Sequence, residues 1–89
     1  MRAKTFARKA QEHFPGITGI EVRPEYGKTA VLLGNAAEGG VIGEMPAAEY
    51  YPEWQVGAYV NPALEAFAEQ HGFLLEWQDP GTLIAYSLS

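Results

Sequence analysis

Residues 73–88 read FLLEWQDPGTLIAYSL, two apolar runs separated by Asp79-Pro80-Gly81. Proline fixes φ and glycine accepts positive φ, so Pro80 and Gly81 suit the centre of a tight turn and the flanks suit the two arms of a hairpin. The register implied by this turn sets Gln78 opposite Leu83, Trp77 opposite Ile84, Leu75 opposite Tyr86 and Phe73 opposite Leu88. Phe73, Leu75, Trp77, Ile84, Tyr86 and Leu88 then share one face, and a one-residue slip would scatter them. A prolyl-glycine type II turn follows strand twist less well than the primed turns do. A bulge near Asp79 would absorb that misfit and change the register beside the turn.

The residues just before the hairpin predict a helix over 62–71. Asn61 is a good N-cap, Pro62 suits the first helical position and Gly72 suits the position after the last turn. Leu64, Phe67, Ala68 and His71 form its inward stripe, and Glu65 and Glu69 share the outer face. Farther back, residues 17–23 alternate, with Thr18, Ile20 and Val22 on one side and Glu21 and Arg23 on the other. PEYGK then supplies a turn, and TAVLLG, 29–34, suits a strand buried on both faces. GNAAEGG reads as a loop, and VIGEM, 41–45, as a short third strand weakened by Gly43. At the start, Ala3, Phe6, Ala7, Ala10 and Phe14 make one helical stripe over 3–14, stopped by Pro15-Gly16.

The order is therefore α-β-β-β-(loop)-α-β-β. Both halves start with a helix and continue into a hairpin, although the letters do not repeat. The fold class expected is α+β, with two helices packed on one face of a mainly antiparallel sheet of about five strands. The expected core is Phe6, Ala10, Phe14, Ile20, Val22, Val31, Leu33, Leu64, Phe67, Phe73, Leu75, Trp77, Ile84 and Tyr86. A chain of 89 residues fits one small globular domain, 1–89, burying somewhat more than ~60% of its unfolded surface. If the terminal strand 82–88 lay at a sheet edge, it would offer a route to a homodimer.

Charge is divided along the chain. All six cations (Arg2, Lys4, Arg8, Lys9, Arg23 and Lys28) lie in residues 1–28, with three acids among them. Residues 29–89 hold eight acids and no Lys or Arg. Such a surface repels a phosphate backbone, which argues against direct nucleic-acid binding and favours a basic partner or a cationic ligand. Solubility alone is the plainer explanation of the same charge. Cysteine is absent, which removes disulfides and thiolate metal sites and accords with a cytoplasmic location. No apolar run approaches the length of a membrane span, and the basic N-terminus lacks the apolar core of a secretory signal.

Catalytic chemistry finds little support. The only serines are Ser87 and Ser89, and the two histidines, His13 and His71, sit near predicted helix ends, where capping carbonyls explains them. No metal-ligand spacing occurs, and Glu65 with Glu69 reads as a solvated helix face. GNAAEGGVIG lacks the phosphate-loop patterns, and Glu38 and Glu44 flank it with the wrong charge. No catalytic residue, metal site or cofactor is therefore assigned. Chains of this composition are common among accessory products of phages and mobile elements, an analogy that rests on no motif.

EMPAAEYYPEWQ, 44–55, is the stretch that suits neither helix nor strand. Pro46 could open one helical turn through Glu49. At least one aromatic must fold inward to anchor a connection this long, and Trp54 is assigned that role. Tyr50, Tyr51 and Tyr59 then stay partly exposed beside Glu49 and Glu53. Tyrosine offers large contact area at low entropic cost, and an aromatic face beside a carboxylate suits a cation. The binding residues expected are Glu44, Glu49, Tyr50, Tyr51, Glu53, Trp54 and Tyr59. The leading expectation is a non-enzymatic protein that engages a basic protein or nucleoprotein, as an inhibitor presenting Glu38, Glu44, Glu49, Glu53 and Glu76 as phosphate surrogates would do. The alternative is a binder of a cationic organic ligand in a pocket of Tyr50, Tyr51, Trp54 and Tyr59 with Glu49 or Glu53. As a plain lid over a small core, the same segment would need no partner.

Overall fold

Helix α1 (Ala3–His13) buries Phe6, Ala7 and Ala10 along one stripe, and Phe14 closes it by donating its backbone N–H to the Ala10 carbonyl at 2.8 Å. The structure, a computed structural model, describes residues 1–87. Pro15-Gly16 turns the chain out of the helix. Gln11 then pins the entry to the first strand: its Nε2 donates to the Ile17 carbonyl, and its Oε1 accepts from the Ile20 N–H at 3.2 Å. Strands β1 (Ile20–Val22) and β2 (Val31–Leu33) pair antiparallel with Ile20 opposite Leu33 and Val22 opposite Val31. Each is three residues long, because Pro24 opens a short 3-10 turn after one and Gly34 bends the chain after the other.

Two small ladders follow. β3 (Val41–Ile42) folds back on β4 (Met45–Pro46), and β5 (Ala48–Glu49) pairs with β6 (Tyr59–Val60). The expected third strand over 41–45 therefore closes on itself instead of joining the main sheet. Gly43, at φ +63° in a two-residue loop, permits the reversal. The helical turn expected from Pro46 to Glu49 is likewise replaced by β4 and β5.

Helix α2 (Pro62–Gln70) begins as its sequence predicts. Asn61 is buried, and its Oδ1 accepts from the Ala63 N–H at 2.9 Å. The last elements are β7 (Phe73–Asp79) and β8 (Thr82–Ser87). The main sheet has four antiparallel strands in the order β1-β2-β8-β7. The α+β class and the antiparallel sheet under two helices are observed, with four strands in that sheet and the remaining strands in the two small ladders. The terminal strand β8 is interior, so the sheet edges are β1 and β7, and the edge position on which the expected dimer route depended is not found among the described residues. β2 is interior as well.

The β7–β8 register differs from the one expected. Phe73 faces Ser87, Leu75 faces Ala85, Glu76 faces Ile84 and Trp77 faces Leu83, with a register shift between Trp77 and Asp79. The turn explains the shift. Asp79 faces Thr82 across Pro80-Gly81, and the Asp79 Oδ1 accepts from the Gly81 N–H at 2.9 Å. Gly81 does not take positive φ, so the type II turn is not formed. Gln78 becomes the extra residue, and every pair beyond it moves by one. The expected pairing of Leu88 with Phe73 involves a residue outside those described.

This slip divides the expected apolar set between the two faces of the sheet. Phe73, Leu75 and Trp77 share the helix-facing side with Leu83 and Ala85, next to Val31 and Leu33 of β2. Phe6 is fully buried in the same cluster, its ring stacked on Phe73 at 4.1 Å and tilted against Phe67 at 5.5 Å. Ile84 and Tyr86 turn to the reverse face, where Ile84 pairs with Leu32. Ile84 is buried there, outside the cluster under the helices, and Tyr86 is half-buried. The core also gains Ile17, Leu83, Ala36, Ala47 and Ala48. α1 packs on β1 and β2 while α2 packs on β7, so each helix covers the outer strand of its own hairpin.

Candidate functional site

Segment 41–60 is held at several points. Ala47 donates to the Gly40 carbonyl at 2.9 Å and Ala48 to the Ala36 carbonyl at 3.0 Å. Asn61 stitches the segment to α2, donating its backbone N–H to the Ala47 carbonyl at 2.9 Å and its Nδ2 to the Pro46 carbonyl at 3.2 Å. Pro52 is buried and anchors the outer loop. Trp54, assigned inward from the sequence, is instead 50% exposed. The anchoring it was expected to supply comes from Ala47, Ala48 and Pro52, which enter the interior without displacing a large ring.

The aromatic residues form two groups. Tyr50 is half-buried and meets Tyr51 at 4.8 Å and Trp77 of β7 at 5.1 Å, both edge to face. Tyr51 is 79% exposed. Trp54 meets Tyr59 at 5.3 Å, and Tyr59 lies directly across the β5–β6 ladder from Glu49. Glu49 is half-buried, Glu53 is exposed on the outer loop, and Glu44 is exposed in the Gly43-Glu44 turn of the β3–β4 hairpin. The expected pocket of four aromatics with a carboxylate is thus divided. A hollow of 340 Å³ does exist, lined by Tyr50, Tyr51, Pro52, Gln55, Gly57 and Ala58. Trp54, Tyr59 and the glutamates are not among its lining residues.

Sequence reasoning missed three further residues of this surface. Val41, Met45 and Val56 are exposed, and with Tyr51 and Trp54 they place five of the eight exposed large apolar side chains among the described residues within 41–56. Scattered apolar exposure is ordinary, whereas here it is concentrated in one tethered stretch. The Gly43-Glu44 turn signal could have revealed Val41 and Met45, since closing a hairpin there removes both from the main sheet. Glu38 belongs to a different place: its carboxylate lies against Gly81, beside Asp79, at the β7–β8 turn.

A second concavity, of 630 Å³, lies between the helices and includes Lys9, Glu12, His13, Phe67 and His71. His13 stacks on Phe67 at 5.1 Å. His71 Nδ1 donates to the Phe67 carbonyl at 2.8 Å, since a carbonyl only accepts, and its ring tilts against Phe67 at 4.4 Å. Both histidines therefore serve the aromatic packing at helix ends. Glu12 is the one carboxylate lining this groove, and it faces Arg8 at 3.6 Å. Among the described residues no three His, Asp or Glu side chains gather as a metal site, and no helix is long and apolar enough to cross a membrane.

The ion pairs among the described residues all lie near the N-terminus. Arg23 binds the Glu21 carboxylate at 2.7 Å and that of Glu25 at 3.3 Å, and the hydrogen bond and charge of Glu21 raise its pKa further. Of the eight acids beyond residue 28, Glu49 is half-buried and the others are exposed. Comparison with protein-family models, curated proteins and solved structures returns no match.

Proposed function

We propose that this protein is a non-enzymatic binding module whose anchored 41–59 surface engages a basic partner protein. The observation that carries the reading is the exposure of Tyr51 and Trp54 on a loop tied down at Ala47, Ala48 and Pro52. Aromatics held in place lose little freedom on contact, so their area converts into affinity. Glu44, Glu49 and Glu53 lie in the same stretch of chain, and no Lys or Arg occurs beyond residue 28. A lid alone has no need to leave its largest rings outside. In one version of this reading the partner is a nucleic-acid-binding protein, and the carboxylates occupy its phosphate sites.

The cationic small-ligand alternative has less support, because the hollow beside Tyr50 and Tyr51 has no carboxylate lining it. The test is affinity capture from lysate of the source cell across a salt series, with Glu49→Lys/Glu53→Lys and Tyr51→Ser as controls. The expected result is a basic protein retained at low salt, released at high salt, and lost with the charge-reversed variant. Retention indifferent to salt and to both variants would overturn the reading.

A further inference from the structure

We propose a second docking surface, the open edge of β7, which accepts an extended basic segment as a fifth strand of the main sheet. β7 is seven residues long, lies at the end of the sheet, and is paired on its outer side by no strand among the described residues. An edge strand turns a row of backbone N–H and C=O groups outward, and proteins usually blunt such an edge with lysine, proline or brevity. β7 contains neither lysine nor proline, and its bulge at Gln78 lies near the turn, leaving Phe73–Trp77 regular. The opposite edge, β1, has only three residues, with the paired Glu21 within it and Arg23 just after it.

A groove of 330 Å³ runs beside this edge, lined by Glu65, Ala68, Glu69, Phe73, Leu74 and Leu75. Its base is apolar, and two carboxylates one helical turn apart are its charged members. On the reverse face Leu74 is 44% exposed, and Glu76 is exposed and accepts from Gln78 Nε2 at 3.2 Å. A strand laid against β7 sends alternate side chains to these two sides. Lysine or arginine fits the helix side, where its aliphatic stem covers Leu75 and its charge meets Glu65 and Glu69. An aliphatic residue fits the other side, beside Leu74. A second copy is a poor occupant. Pairing β7 with itself about a two-fold axis brings the Glu65 and Glu69 carboxylates of both copies over one groove, like charge against like. This surface names the form of the partner, an extended strand, and uses none of the 44–59 glutamates.

The experiment is fluorescence polarisation with a short synthetic peptide alternating lysine and valine, paired with amide hydrogen exchange. The expected result is saturable binding, new protection of alternate amides within 73–77, and weakening by about tenfold or more in Glu65→Lys/Glu69→Lys. Thermal unfolding of that variant checks that it remains folded. Methylation of alternate peptide nitrogens abolishes binding if strand pairing carries it. No binding, equal binding of the methylated peptide or of one alternating glutamate and valine, or protection of β7 that rises with protein concentration alone would each overturn the proposal. Protection within 73–77 reads this edge and capture of the partner reads the 41–59 surface, so failure of either surface can be read separately.

Discussion

The molecule contains two helix-hairpin units that differ in almost everything but layout. In the first, α1 covers β1, and β2 leads inward; in the second, α2 covers β7, and β8 leads inward. The inner strands β2 and β8 pair antiparallel at the centre. The first unit holds all the cations and has strands of three residues, while the second is cation-free and has strands of seven and six. A charge asymmetry along the chain thereby becomes an asymmetry across the sheet, with the cations grouped toward the β1 edge and α1, and an acidic edge at β7. The short strands of the first unit are compensated by side chains: Gln11 satisfies Ile17 and Ile20, and Asn35 Oδ1 accepts from the Thr18 N–H at 2.9 Å. The long hairpin of the second needs less such help, and its polar anchor, Asn61, is spent on the connecting segment.

Phe6 offers the most severe way to break this pairing of units. It belongs to the first unit, is fully buried, and contacts Phe67 and Phe73 of the second. Phe6→Ala should cost about 3–5 kcal/mol. That is a large part of the stability of a small domain. Urea unfolding followed by tryptophan fluorescence and by circular dichroism should show one coincident transition at lower midpoint. Two separated transitions would mean that the units fold independently.

A smaller effect sharpens the contrast between short and long strands. Gly34 has φ +50°, and a Cβ built there would sit 1.8 Å from the Thr18 carbonyl oxygen. Gly34→Ala should destabilise by more than about 2 kcal/mol, since the backbone itself must move. Hydrogen exchange should rise first in β1 and β2 and leave β7 and β8 least affected. Uniform loss of protection would contradict that expectation.

The smallest of these effects belongs to the connection between the units. Asn61→Ala removes the cap of α2 and the bond to Pro46, and should cost about 1–2 kcal/mol. Asn61→Asp retains the capping oxygen but not the donor to Pro46, so it should recover only part of the loss. Full recovery would show that the cap alone matters and that the 46–47 tether is dispensable.

Much of this architecture is legible before any coordinates. The stripe Phe6-Ala10-Phe14 and the frame of Asn61, Pro62 and Gly72 define both helices, because periodicity and capping are local properties read within a few residues. The hairpin 73–87 and the charge division are equally plain, as are the exposed Tyr51 and the half-exposed Tyr50 and Tyr59. Three matters needed the tertiary structure. The register of β7 and β8 turned on whether Asp79 or Gly81 would shape the turn. Trp54 faces outward because Ala47, Ala48 and Pro52 already supply the anchor, a competition between distant positions that no window of sequence displays. The placement of β8 at the sheet centre, which leaves β7 as the open acidic edge, follows from its pairing with β2. Strand order depends on which buried faces can be joined beneath the helices, and chain order does not encode that.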